Sequence, residues 1–422
     1  MTSASLRRGF SWNLAGSTIY NLSQWLLVVL LAQLTAPHTV GRFSLMLAIA
    51  APIYLCLGLN LRVVVATDTS SRWDMPTYLR TRTWTGIASL VVTLVAGVLF
   101  GLRGWDLMAL GALGGAKSVE ALGQTIYGYF QKERRLDLVG GSLLLRAAVG
   151  AGSFAAIVAA TQQLVLGCLA LWAGWWLVYL LWDRRHLRTF AALRVAAPSS
   201  SRSIAALVRT AAPLGVDAGL SSLTINAPRY ALQATLGASG LATFAALAYT
   251  AQIIGLVTAS LADGLIAQLA QAYDQQRRRR FVRLLGLLVG FSAALTVVAL
   301  LGAWLVGDWV IGHLLGTHYV NSALLLLLVL TAGVTTLQRS LARGLQASHQ
   351  FQHIAWIDLV CLLATVLACF IMVPGNGQLG AASALLTGMA TGTVITASLV
   401  LALVRKLPRT GNPKPTTATS NL

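Results

Sequence analysis

Apolar stretches of membrane-spanning length recur from one end of this chain to the other. A hydrocarbon core about 30 Å thick needs about 20 apolar residues per helix, and stretches of that length predict twelve spans. They are 11–34, 40–61, 83–102, 106–130, 138–160, 164–182, 205–227, 240–268, 284–306, 321–345, 354–373 and 380–403. Only 10% of the residues are charged, against about 25% in a soluble domain. We therefore predict an all-α polytopic membrane protein with twelve transmembrane helices.

Lysines and arginines between the spans fall almost entirely on one side of the membrane. That side carries Arg7, Arg8, Arg72, Arg80, Arg82, Lys132, Arg134, Arg135, Arg184, Arg185, Arg188, Arg194, Arg202, Arg277 to Arg280, Arg283, Arg405, Lys406, Arg409 and Lys414. The other side carries only Arg42, Arg103 and Arg229. Short loops rich in these residues stay cytoplasmic, so both termini are predicted to be cytoplasmic. The asymmetry accounts for most of the net charge of +19 without a nucleic-acid partner.

The longest connection divides the spans into two sets of six. We predict an N-terminal six-helix lobe (1–182), a cytoplasmic linker (183–204), a C-terminal six-helix lobe (205–403) and a cytoplasmic tail (404–422). A weak internal repeat places Arg8 on Arg209 and Phe43 on Phe244. It predicts pseudo-symmetric lobes related by an axis along the membrane normal.

The four cysteines lie inside apolar runs: Cys56, Cys168, Cys361 and Cys369. Cysteines in such runs are typical of small hydrophobic residues in helices rather than of a redox or metal site. We expect neither a metal centre nor a cofactor.

Five ionisable residues lie at membrane depth, where charge is costly and indicates function: Lys117, Glu120, Arg146, Asp217 and Arg339. Lys117 and Glu120 are three residues apart and share a helix face, so they pair either as a structural bridge or beside a functional site. Arg42 and Arg229 are close enough to the outer edge to reach the headgroups. Because the deep bases outnumber the acids, the interior favours an anionic cargo.

Arg146 lies in SLLLRAAVGAG (142–152), about 12 Å into the fifth span. Its side chain either reaches back to the headgroups or binds an anion in a wet central cavity. We favour the anion site, since a planar guanidinium matches phosphate oxygens.

Asp217 lies in the seventh span beside Pro213, Gly215 and Gly219, which predict a bent or broken helix. Such an acid either binds a proton or a sodium ion, or pairs with Arg146 or Arg339 in the bundle. Glu120 is the other candidate for ion coupling.

The first span carries a polar stripe on one helix face. Asn13, Ser17, Asn21 and Gln24 follow helical spacing. The stripe either joins neighbouring helices by hydrogen bonds or lines a cavity, and we favour the cavity.

Two segments carry a resemblance to a known family. GRFSLMLAIAAPIYLCLGLNLRVVVATD (41–68), followed by Tyr78 and TRTW, and NAPRYALQATLGASGLATFAALAY (226–249) resemble bacterial polysaccharide-biosynthesis membrane proteins. These are flippases for lipid-linked oligosaccharides, in the multidrug/oligosaccharidyl-lipid/polysaccharide exporter superfamily. The resemblance covers essentially the whole chain.

The resemblance implies a MATE-like pair of six-helix lobes around a cationic cavity in a bacterial inner membrane. It implies a cargo of undecaprenyl-diphosphate-linked sugar repeats for O-antigen, capsule or exopolysaccharide, with a polysaccharide polymerase and chain-length regulator as partners. Arg146, Lys117 and Arg339 are the positions matched to binding of diphosphate or acidic sugars. The alternatives are a multidrug exporter of the same fold, a membrane-embedded polymerase or ligase, and a non-transporting scaffold. The connection GDWVIGHLLGTHYVN offers little for polymerase chemistry.

Overall fold

The computed structural model describes residues 3–68, 71–191, 201–348 and 350–408, and the regular structure in these ranges is helical. The helices are α1 (Ser3–Leu34), α2 (Pro37–Cys56), α3 (Leu61–Thr67), α4 (Met75–Leu99), α5 (Trp105–Lys132), α6 (Leu136–Leu145), α7 (Gly152–Thr161), α8 (Leu164–Val178), α9 (Arg184–Ala191), α10 (Ser201–Ala251), α11 (Ile253–Asp274), α12 (Arg278–Leu314), α13 (Ser322–Ala347) and α14 (Phe351–Lys406). Two π-helical segments, Arg146–Ala151 and Tyr179–Asp183, join α6 to α7 and α8 to α9, and a 3₁₀ turn covers Thr317–Tyr319.

The helices divide into twelve spans. Nine helical stretches of the described residues are long and apolar enough to cross a membrane. α10 and α14 run for 51 and 56 residues, more than twice the length that one crossing needs. Gly237 (φ 67°) breaks the first and Gly377 (φ 53°) the second. The part of α10 after Gly237 continues into α11, so α10 and α11 together supply two spans, and α14 supplies another two. α5 is the twelfth, with Lys117 and Glu120 lowering its hydropathy. The chain is an all-α, multi-pass membrane protein, as predicted.

Large apolar side chains cover the outside of the bundle. On α14, Leu363, Leu367, Phe370 and Ile371 are all at least 60% exposed. They follow a helical stripe, and α12 exposes another that includes Leu301 and Leu305. Such surfaces suit a hydrocarbon solvent, because helices satisfy their own backbone hydrogen bonds there.

The sixth span is longer than predicted. It continues through the π-helical segment into α9, so the start of the predicted linker (183–204) is helical as far as Ala191. Residues 192–200 of that linker, and 409–422 of the predicted tail, lie outside the described residues. The pseudo-symmetry of the two halves stays a prediction.

The N-terminal half (α1–α9) and the C-terminal half (α10–α14) meet mainly where α2 lies against α10. The backbones approach closely, since a Cβ on Gly41 would collide with the Ala238 carbonyl and one on Gly215 with the Cys56 carbonyl. Small residues at such crossings are how membrane helices gain van der Waals contact.

We refer to the side on which α1 begins as the near side, predicted to be cytoplasmic, and to the opposite side as the far side. Among the described residues, three hydrogen bonds join the halves at mid-depth or towards the far side. Trp25 Nε1 donates to Thr250 Oγ1 (3.2 Å), Tyr230 Oη to the Ala48 carbonyl (2.5 Å) and Gln33 Nε2 to the Leu314 carbonyl (2.9 Å).

Candidate functional site

A cavity of about 840 Å³ lies between the two halves. At the near side its lining includes Gln346 in the last turn of α13 and Ile354 in the first turn of α14. Towards the far side its lining includes Leu328, six residues into α13, and Phe43, six residues into α2. The lining therefore stops about 10 Å short of the far helix ends. The cavity extends to the near side and is closed on the far side.

Six basic or acidic side chains line the cavity: Lys117, Asp217, Arg229, Arg339, Arg343 and Asp358. Four are basic and two are acidic, which gives a formal charge of +2 (4 − 2) for the lining of the described cavity. The net sign agrees with the sequence prediction of a mildly basic interior. A lining of this sign in a low-dielectric protein favours an anionic guest.

α13 presents a polar ladder to the cavity. Thr331, Thr335, Arg339 and Arg343 recur every four residues, and all four line the cavity. That spacing places them on one helix face, from mid-span to the near side. Arg339 is solvent-exposed and lines the cavity, and its role in binding stays a prediction.

Lys117 and Glu120 form the predicted pair on α5. Lys117 Nζ lies 2.8 Å from Glu120 Oε2, and Tyr20 Oη donates to Glu120 Oε1 at 2.7 Å. Lys117 also lies 5.5 Å from the centre of the Trp175 ring, a distance at which a cation is attracted to an aromatic face. Lys117 lines the cavity, whereas Glu120 lies behind it and anchors α1 through Tyr20.

Two carboxylates face the cavity from the C-terminal half. Asp217 lies on α10 and Asp358 on α14. Asp217 Oδ1 is buried and accepts no hydrogen bond from the described residues. Asp358 is near enough to Arg339 for electrostatic attraction. Asp358 was not among the predicted site residues, although it is the only charged residue in the predicted span 354–373.

Arg229 does not reach the outer headgroups, and that prediction is wrong. Its side chain folds into the cavity, where the residue is 4% exposed. The guanidinium carbon lies 4.6 Å from the centre of the Tyr249 ring, and Nη1 donates to Asn226 Oδ1 at 2.5 Å.

The prediction that Arg146 lines the cavity is also wrong. Arg146 is completely buried within the N-terminal half, and Nη2 lies 2.9 Å from Asp183 Oδ2. Asp183 Oδ1 accepts a second bond from Ser142 Oγ at 2.6 Å. Both charged residues belong to π-helical segments, whose extra residue per turn rotates side chains relative to a regular helix.

The polar stripe of α1 is divided between two environments. Asn21 and Gln24 line the cavity. Asn13 and Ser17 lie nearer the start of α1, where this helix packs closely on α6 at Gly16 and Gly140. The described cavity lining does not include them.

This arrangement can hold a hydrated, negatively charged group. The volume lies in the upper part of the range for ligand sites, about 300–1,000 Å³. Cations are supplied by both halves, Lys117 from one and Arg229, Arg339 and Arg343 from the other. A guest bound between them would contact both halves at once.

One curated relative is a capsular polysaccharide biosynthesis protein, CapF, from Staphylococcus aureus. It is 22% identical over 377 residues, which cover 89% of this chain and 94% of the relative. No protein-family model matches the chain. The resemblance to polysaccharide-biosynthesis membrane proteins is confirmed by this relative.

Solved structures of transporters match the fold over nearly the whole chain. An inward-facing multidrug resistance MATE family transporter of the MOP superfamily has a TM-score of 0.69 at 16% identity, covering 93% of this chain and 96% of that one. A MOP superfamily transporter from Pyrococcus furiosus, whose pocket of reverse polarity suggests a different function, has a TM-score of 0.68 at 13% identity, covering 96% of each chain. An outward-facing MATE family transporter gives a TM-score of 0.62 at 14% identity, covering 95% of this chain and 96% of that one. The chain has the fold of these transporters.

Proposed function

We propose that this protein is a flippase for lipid-linked oligosaccharides. Its cargo is a sugar repeat unit on undecaprenyl diphosphate, moved from the cytoplasmic to the periplasmic leaflet of a bacterial inner membrane. The observation that carries this proposal is the cavity between the halves, with its excess of basic side chains. The polysaccharide relative from Staphylococcus aureus supports the choice of cargo.

The physical problem for such a cargo is its headgroup. A diphosphate with attached sugars is large and charged, and cannot cross about 30 Å of hydrocarbon unaided. In the cavity, Lys117 and Arg339 replace part of the hydration of the phosphates, while the polyprenyl tail stays in the lipid. Rocking of one half against the other then exposes the bound headgroup to the opposite side.

An ion gradient would give the cycle a direction. Asp217 and Glu120 are the candidates to bind a proton or a sodium ion, and Asp358 joins them because it faces the cavity beside Arg339. On the far side, the repeat unit would be released to a polysaccharide polymerase and its chain-length regulator, to become O-antigen, capsule or exopolysaccharide.

Gene deletion in the native bacterium tests the proposal. We expect the deletion to remove surface polysaccharide, and a plasmid copy of the wild-type gene to restore it. Lys117→Gln and Arg339→Gln should restore about a tenth or less, the loss expected for one hydrogen bond to a charged group.

The competing function is drug export on the same fold. Drug susceptibility of the deletion strain distinguishes the two. Unchanged polysaccharide together with increased drug susceptibility would contradict the flippase and support the exporter.

A further inference from the structure

The Arg229 side chain has an unusual set of contacts. One face of its guanidinium lies on the Tyr249 ring, and Nη1 is occupied by Asn226 Oδ1. Asn226 is itself fixed, because its Nδ2 donates to the Ser222 carbonyl at 2.9 Å. The guanidinium is thus held in one orientation by neighbours on α10.

The other edge of the same guanidinium makes no hydrogen bond to the described residues. Nε and Nη2 are buried and have no hydrogen-bond partner among the described residues. These two N–H groups form the edge that binds a carboxylate or phosphate through two parallel bonds. Leaving charged donors unpaired inside a protein is costly, so a partner from outside the chain is expected.

Arg146 gives a useful contrast. It too has buried N–H groups without a partner, but it lies away from the cavity and its charge is matched by Asp183. None of the ion pairs in the described ranges involves Arg229. Arg229 therefore combines a charge outside any of these ion pairs, a buried donor edge without a partner among the described residues, and a place in the cavity lining.

Its position is at the closed end of the cavity. Arg229 lies eight residues before the Gly237 break, or about 12 Å along the helix. Arg343 lies four residues from the end of α13 on the near side. A phosphate that enters past Arg343 and Arg339 would meet Arg229 last.

We propose that Arg229 is a preformed oxyanion clamp, whose Nε and Nη2 bind one phosphate or carboxylate of the cargo through two parallel hydrogen bonds. The identity of the cargo rests on the proposed function, whereas the clamp rests on the contacts of Arg229. Asn226 and Tyr249 are positioning residues that hold the guanidinium in one orientation.

Ligand binding to the full-length protein in lipid nanodiscs tests the clamp. Trp25 and Trp175 line the cavity, so quenching of tryptophan fluorescence is a suitable signal. The probes are undecaprenyl diphosphate, undecaprenol as the form without phosphate, and glucuronate as a free sugar carboxylate. We expect Arg229→Gln to weaken binding of undecaprenyl diphosphate about tenfold to hundredfold.

Two further variants separate the clamp from a general loss of charge or of folding. Arg229→Lys keeps the charge without the fork, so it should lose less affinity than Arg229→Gln. Asn226→Asp keeps the guanidinium but places a carboxylate against it, and should weaken binding as Arg229→Gln does. Arg42→Gln is the matched control, because Arg42 lies near the far side of the N-terminal half, is paired with Asp106 and does not line the cavity.

The outcomes are distinct. A loss confined to undecaprenyl diphosphate assigns the clamp to phosphate, and a loss confined to glucuronate assigns it to an acidic sugar. Equal affinity of wild type and Arg229→Gln for undecaprenyl diphosphate and for glucuronate overturns the clamp. The proposed flippase function is not contradicted by that result if export persists. Failure of the wild-type protein to bind undecaprenyl diphosphate or glucuronate contradicts both the clamp and the flippase.

Discussion

At the scale of single residues, Arg146 and Asp183 form a buried ion pair away from the cavity. Removing one partner of a buried pair leaves the other charge uncompensated, at a cost of about 3–5 kcal/mol. We expect Arg146→Ala and Asp183→Ala each to lower the yield of folded protein and its melting temperature in detergent. The double variant Arg146→Met/Asp183→Leu removes both charges and should recover much of that stability.

Export by the double variant decides whether Arg146 has a structural role or a direct role in transport. If the pair is structural, the double variant should fold and still export polysaccharide. A double variant that folds with wild-type stability but exports nothing would return Arg146 to a direct role in transport.

The acidic residues of the cavity region allow a second prediction. If Asp217 or Glu120 carries the coupling ion, then Asp217→Asn or Glu120→Gln should make transport into proteoliposomes insensitive to an imposed proton or sodium gradient. Glu120 also holds Tyr20 of α1, so Tyr20→Phe controls for loss of that anchor alone. Full gradient-dependent transport by both acid variants would remove ion coupling from these two residues.

At the scale of helices, residue spacing predicted a contact within one helix but not a contact between two spans. Lys117 and Glu120 pair because three residues make nearly one turn of the regular helix α5. Arg146 was misplaced because its partner lies 37 positions away on another span, beyond the predicted end of that span at residue 182. Nothing in SLLLRAAVGAG or in YLLWD indicates the π-helical segments that bring the two residues together.

The fold was the easier part to predict, because most crossings are apolar stretches of about 20 residues that can be recognised in the sequence. Hydropathy does not predict the direction of a side chain, as Arg229 illustrates. Its distance from the outer edge is compatible with a side chain directed towards headgroups or into the bundle. The ring of Tyr249, 20 residues further along the chain, holds it inside.

The Gly237 break provides a prediction at the same scale. Gly237 has φ 67° and ψ −170°, a region that is essentially restricted to glycine and costs other residues about 1–3 kcal/mol. We expect Gly237→Ala to lower the melting temperature. Gly290→Ala is the control, since Gly290 lies inside α12 with open space around its Cα, and alanine is the better helix former there. Equal melting temperatures for the two variants would contradict a strained turn at Gly237.

At the scale of the whole molecule, the two halves touch along α2 and α10 while the cavity stays open towards the near side. In the proposed flippase cycle, delivery of cargo to the far side requires the contacts there to separate. The hydrogen bond from Gln33 Nε2 to the Leu314 carbonyl joins the ends of α1 and α12 on that side, and both residues are exposed. This contact is therefore a place where alternating access can be blocked.

Cysteines at these two positions, joined by a short bifunctional thiol reagent, should hold the far side closed. The reagent is a bis-methanethiosulfonate, which joins the two thiols through disulfides that a reductant cleaves. We expect Gln33→Cys/Leu314→Cys to transport normally before cross-linking, to stop when cross-linked in proteoliposomes, and to recover when the disulfides are reduced. The matched control is Arg42→Cys/Asp106→Cys, since Arg42 and Asp106 are paired within the N-terminal half and a link between them does not join the halves. Each single cysteine variant controls for modification alone. Because a rocking movement cannot proceed with the far ends tied, undiminished transport by the fully cross-linked Gln33→Cys/Leu314→Cys protein would rule out separation of α1 from α12 as a step in the cycle.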